Sequence, residues 1–207
     1  MKTEINKFWK YFLSIQIDLI NADHNGNAAL GNKLFDNLHK KGKKIDRQLA
    51  FLIVYRIDGG SMAKLIFIPK GKYHLRAIAA KMLALAPNLP LWVFDIGIKP
   101  YPESIISLCA KHNFLKHDTT IYQIYFAVHK IYKSSNKLHL LIYLQVDKSI
   151  SKSELHEAME NILLWFLGDT LYYKHISRFR IIRRKYSAIN FIPMDEFINL
   201  VQYKSIN

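Results

Sequence analysis

At 207 residues, half of them hydrophobic, the chain is long enough for one core of ordinary size, and its length favours one domain or a closely joined pair. Thirty basic residues against sixteen acidic give a formal charge of +14, an excess that attracts polyanions but carries no information about fold. The longest uncharged stretch, Met82 to Phe94, is broken by Pro87 and Pro90 and is too short to span a bilayer, so no membrane-spanning role is expected.

The first element reads as an amphipathic helix over residues 4–21, with Ile5, Phe8, Trp9, Phe12, Gln16, Leu19 and Ile20 on one stripe. After the polar break NADHNGN, a second helix is expected from Ala28 to Lys40, with Gly42 placed to end it and HKKGKKIDR forming a basic loop. The pattern then turns extended. Residues 49–57 and 63–69 are rich in branched and aromatic side chains and flank DGGSM, which signals a hairpin. The first of these strands is apolar on both faces, which predicts an interior place in the sheet. A third helix is expected from Tyr73 to Ala86, stopped by Pro87.

LWVFDIGI (91–98) reads as a further strand, and a helix is expected to start at Pro102. Two long strands, 121–131 and 137–146, are joined by YKSSN as a second hairpin. Ser151 and Glu154 make a capping box for the next helix, whose stripe runs from Leu155 to Phe166 and which Gly168 is expected to end. The strand HISRFRIIRRKY (175–186) follows, then a short helix around Met194 to Gln202. Strands and helices are mixed, with two hairpins. The expected class is α+β: a largely antiparallel sheet with helices packed mainly on one face, in a single domain spanning 1–207.

Several short motifs resemble an uncharacterised family of bacterial proteins of about this size. They are FWKYF at 8–12, IFIPKG at 66–71, APNLPLWVF at 86–94 and LGD at 167–169, where the family carries LGE. The resemblance implies an intact single α+β domain and brings no activity with it, so no functional residue carries over.

The motifs of chemistry are sparse. There is no phosphate-binding glycine loop, no dinucleotide fingerprint and no H-E-x-x-H. PKGK (69–72) puts two lysines around a glycine before a helix, which suits an anion or a plain strand-to-helix turn. Cys109, His112 and His117 supply zinc-type donors, but no second pair at a ligand spacing completes four; a packed cysteine and a hydrogen-bonded histidine are the alternative. One cysteine cannot build an internal disulfide framework. With Lys2, Lys7 and Lys10 among its apolar residues, the N-terminus lacks the unbroken apolar core of a signal peptide, and the expected setting is cytoplasmic. In HEAME, His156 and Glu160 are one turn apart, an acid–base pair or a surface pair. Asp95 interrupts an apolar strand as a buried catalytic acid or as an exposed or lysine-paired residue. No cofactor is implied.

The charge itself divides unevenly. Lysines number 23 and are scattered, whereas four of the seven arginines, Arg178, Arg180, Arg183 and Arg184, lie within seven residues. Because side chains alternate along a strand, each of three strands has an apolar face and a polar one. The polar faces carry Tyr125 and His129; His139 and Tyr143; and Arg178, Arg180 and Arg184. Brought side by side, these residues form a basic, aromatic surface for an anionic or stacked ligand. A solvated face or a charge-protected edge strand reads the same way in sequence. The expected function is a binding domain without an assembled catalytic site, taking a protein partner or a small anionic ligand through this face. The alternative is a nucleic-acid binder using the same surface, although no recognised nucleic-acid motif is present.

Overall fold

The computed structural model describes residues 1–55, 62–112, 114–115, 121–146 and 150–204. The fold is α+β, and its contacts divide the chain into two compact units, Met1–Gly97 and Ile98–Asn207. Each contains one mixed sheet with helices alongside.

The first unit runs α1 (Lys2–His24), α2 (Ala28–Ile45), β1 (Ala50–Val54), β2 (Ala63–Ile68), α3 (Tyr73–Ala84) and β3 (Trp92–Ile96). Strands β1 and β2 pair antiparallel, as a hairpin requires, while β2 and β3 pair parallel across the α3 crossover. The DGGSM turn lies largely outside the described residues. The stripe of α1 is buried as its periodicity predicts, and its aromatic rings organise the core. Phe12 meets Trp92 edge-on at 4.7 Å, Trp9 meets Phe94 at 4.9 Å, and Phe8 meets Phe51 at 5.6 Å. The Trp9 indole also donates to the Met82 carbonyl at 2.9 Å, so the ring is buried without orphaning its N–H.

Two expectations for this unit are corrected. The sheet order is β1-β2-β3, so the doubly apolar β1 is an edge strand and β2 is central. Apolar side chains on both faces report what lies above and below a strand, whereas an edge is defined within the sheet plane. Gly42 does not end α2, which runs to Ile45 and takes in most of the expected basic loop. Its role is close packing: a Cβ there would fall 2.7 Å from the Phe51 ring.

The second unit runs α4 (Ile105–Lys111), β4 (Gln123–Tyr132), β5 (Lys137–Gln145), α5 (Lys152–His175), β6 (Ile176–Ile182), β7 (Ile192–Pro193), a 3-10 turn (Met194–Glu196) and α6 (Phe197–Lys204). Helix α4 starts later than Pro102, because Ser104 is the N-cap and accepts from the Ser107 amide at 3.1 Å. Ser151 caps α5 as the capping box predicts, accepting from the Glu154 amide at 3.1 Å. The sheet order is β6-β5-β4-β7, with β4 antiparallel to both neighbours and β6 parallel to β5. Leu138, Leu140, Ile142 and Leu144 are all buried on the apolar face of β5, and Phe197 of α6 packs edge-on against Phe126 at 5.1 Å.

Gly168 interrupts α5 instead of ending it. At φ 71° and ψ 159° it leaves the helical path, and the helix resumes beyond it. Residues 98–101 hydrogen-bond to the helix on either side of the break: the Asp169 amide donates to the Ile98 carbonyl at 3.1 Å, and the Tyr101 amide donates to the Phe166 carbonyl at 3.1 Å. This backbone region is essentially open to glycine alone, and a Cβ here would stand 2.6 Å from the Ile98 oxygen. Gly168→Ala is therefore expected to cost about 3 kcal/mol of unfolding free energy in a denaturant titration. Unchanged stability would contradict the strained-turn account.

Candidate functional site

Strand β5 lies between β4 and β6, and residues opposite one another share a face. The register therefore sorts the polar side into rows. Tyr125, Tyr143 and Ile182 form one row; Ala127, Leu141 and Arg180 the next; Lys130, His139 and Arg178 the third. Of the seven candidate residues, Tyr125, His139, Tyr143, Arg178 and Arg180 thus meet on one face of one sheet.

His129 reaches that surface by a different route. The register of β4 shifts between Val128 and Lys130, so simple alternation fails there. Lys130 takes the position opposite His139, and the His129 ring meets the His139 ring edge-on at 4.8 Å. Arg184 departs from the expectation. Strand β6 ends at Ile182, so alternation no longer governs Arg184, which lines a cavity at the outer edge of β6.

The face is not uniformly open. Ala127 and Leu141 are buried, as is His139, whereas Arg178, Arg180, His129 and Lys130 are exposed. The result is a cationic rim around a closed centre. Arg178 is partly positioned: its Nε donates to His139 Nδ1 at 3.3 Å, and its guanidinium stands 5.8 Å from the Tyr132 ring centroid. Burial, then the charges of Arg178, His129, Arg180 and Lys130, hold the His139 pKa below its ordinary value. A neutral imidazole with Nδ1 accepting carries its proton on Nε2. His139 thus supports an arginine without adding a charge of its own.

At the other end, Lys185 places its ammonium 3.5 Å from the Tyr125 ring centroid and 5.0 Å from that of Tyr143. Phe191 adds a third ring, 6.3 Å from Tyr143. The two tyrosines form an internal cation–π site, so an incoming base would have to displace Lys185 to stack on them. Lys130, Tyr132 and Lys185 were not legible as part of this surface: two depend on the bulge in β4, the third on the path of the chain after β6.

The remaining candidates are accounted for locally. Asp95 is half-buried; one carboxylate oxygen accepts from the Ile96 amide at 2.8 Å, and the other lies 3.9 Å from Lys64 Nζ. Burial, with the Asp195 charge beside it, pushes the Cys109 thiol up to about 12, which disfavours the thiolate that binds metal. The His112 ring stacks on Trp165, and His117 lies outside the described residues. Among the described residues no group of three or more His, Cys, Asp or Glu side chains could hold a metal ion. In HEAME the His156 ring stacks on Phe179 at 4.4 Å, while Glu160 neighbours Tyr172 and, with burial as the larger cause, raises that phenol's pKa. PKGK is a tight turn with Lys70 and Gly71 at positive φ, and Lys72 Nζ donates to Gln48 at 2.6 Å. No described helix is long and apolar enough to cross a membrane.

The depressed His139 pKa has a defined sign. Between its folded and unfolded pKa values the unfolded chain binds more protons, so stability falls as pH drops below the ordinary histidine value. His139→Gln is expected to flatten the loss of Tm between about pH 7.5 and pH 5. An unchanged slope would show that His139 titrates as freely in the folded protein as in the unfolded chain. No family model matches this chain, and comparison with curated proteins and with solved structures finds no similar one.

Proposed function

We propose that this chain is a binding domain whose second unit recognises an anionic ligand through the cationic rim of its sheet. The observation that carries the reading is the β4–β5–β6 register, which gathers Arg178, Arg180 and Lys130 around His139 on one face. An arginine already oriented by His139 loses less freedom when it closes on a carboxylate or phosphate. No carboxylate belongs to the rows these residues occupy, so the rim has no acidic competitor within them.

The tyrosines weigh against general single-strand binding. Such binding relies on exposed aromatic platforms, and here Lys185 covers Tyr125. The ligand class favoured is a compact anion or an acidic side-chain cluster on a protein partner. The chemistry that the rim supports is binding.

The test compares two double variants carrying the same loss of charge. Titration calorimetry with inorganic tripolyphosphate, at about 0.15 M salt where weak surface attractions are screened, should show loss of affinity for Arg178→Ala plus Arg180→Ala. The expected loss is about tenfold or more. Lys33→Ala plus Lys81→Ala, both exposed, should change affinity less than about twofold. Equal losses in the two variants would mean that a basic protein is meeting a polyanion without a site. Tighter binding of a single-stranded oligonucleotide, also lost in the arginine variant, would give the surface to nucleic acid.

A further inference from the structure

Strand β6 is the edge of its sheet. Among the described residues no strand pairs with its outer side, so half of its backbone N–H and C=O groups face away from β5. A cavity of about 520 Å³ follows that edge. Phe179 and Ile181 line it with Leu155 of α5; Arg180, Arg184 and Lys152 line it with positive charge. No carboxylate is among its described lining residues. Phe179 is fixed by the His156 ring stacked on it, and Arg183 is engaged through a hydrogen bond to the Ile150 carbonyl.

We propose that this edge is a docking site for an extended acidic peptide, which adds a strand to the sheet beside β6. The physical basis is alternation. Phe179 and Ile181 point to the α5 side of β6, and Arg180 points to the opposite side. An added strand alternates in the same way, so its side chains must be apolar towards α5 and acidic towards Arg180. Backbone hydrogen bonds to the open edge supply affinity, and the alternating environments supply specificity. The arginines also disfavour pairing of the edge with a second copy of itself. Like charges would be brought together, whereas a carboxylate-bearing strand neutralises them. Nucleic acid fits less well, since a phosphodiester chain has no pattern of donors and acceptors to match a strand edge.

The groove shares Arg180 with the rim but does not depend on His139 or Arg178, so the two readings are separable. The probe is a labelled ten-residue peptide of alternating Glu and Val, followed by anisotropy against the full chain. Three comparisons accompany it: deca-glutamate, and the Glu-Val peptide N-methylated at either its Glu or its Val amides. In a strand, the amides of one alternate set face the partner and those of the other face away. One methylated peptide should therefore lose at least tenfold in affinity while the other binds nearly as well, and deca-glutamate should bind more weakly than the parent.

Lys152→Glu plus Arg184→Glu, both exposed, should also lose at least tenfold without lowering Tm. An acidic residue in the first turn of α5 suits the helix dipole. The His139→Gln variant should bind the peptide like the parent protein, which separates this site from the rim. The proposal is overturned by absence of binding, by equal affinities of the two methylated peptides, or by deca-glutamate binding as tightly as the alternating peptide. A single-stranded oligonucleotide that binds more tightly than the peptide, and loses as much in the Lys152/Arg184 variant, would also overturn it.

Discussion

The second unit depends on the parallel pairing of β6 with β5. Helix α5 returns the chain beside β5, so Arg178 falls opposite His139 and Arg180 opposite Leu141. A register shifted by one residue would turn both arginines towards the apolar side and bring Phe179 to the polar one. Burial enforces the observed choice, because Phe179 is buried and Ile181 half-buried on the apolar side while Arg178 and Arg180 are exposed on the other. Hydrophobic packing thus sets the position of the charges.

That packing also decides the electrical state of the surface. His139 is buried among cations, which lowers its pKa and favours the neutral form whose Nδ1 accepts from Arg178. A protonated imidazole there would repel the arginine it now orients. The remaining positive charge is collected on exposed side chains at the rim, where it costs little desolvation to keep and is accessible to a ligand. Lys185 meets the same problem differently by lying over the ring of Tyr125. One sheet face therefore contains an arginine supported by a histidine and a lysine held by aromatic rings.

Much of this was legible in sequence, for identifiable reasons. Helical stripes, the Ser151 cap and the alternating faces of β4 and β5 are local patterns, and local periodicity records them directly. What failed depended on neighbours distant in the chain. The edge position of β1 lies in the sheet plane, to which face polarity is blind. Gly42 and Gly168 read as helix stops, yet one makes room for Phe51 and the other for the backbone at Ile98. The bulge at His129 shifts the register of its own strand, so Lys130, not His129, falls opposite His139. Arg184 was carried too far along an alternation that stops at Ile182.

The central claim is that four residues at one sheet end, and not the scattered lysines, form the working surface. Amide chemical-shift mapping during titration with inorganic pyrophosphate, at about 0.15 M salt, tests this residue by residue. The account predicts saturable shifts concentrated at His129, Lys130, Arg178 and Arg180, with a matching change at the His139 imidazole. Small, non-saturating shifts spread over lysines throughout both units would contradict it, leaving the arginine strand a solvated face.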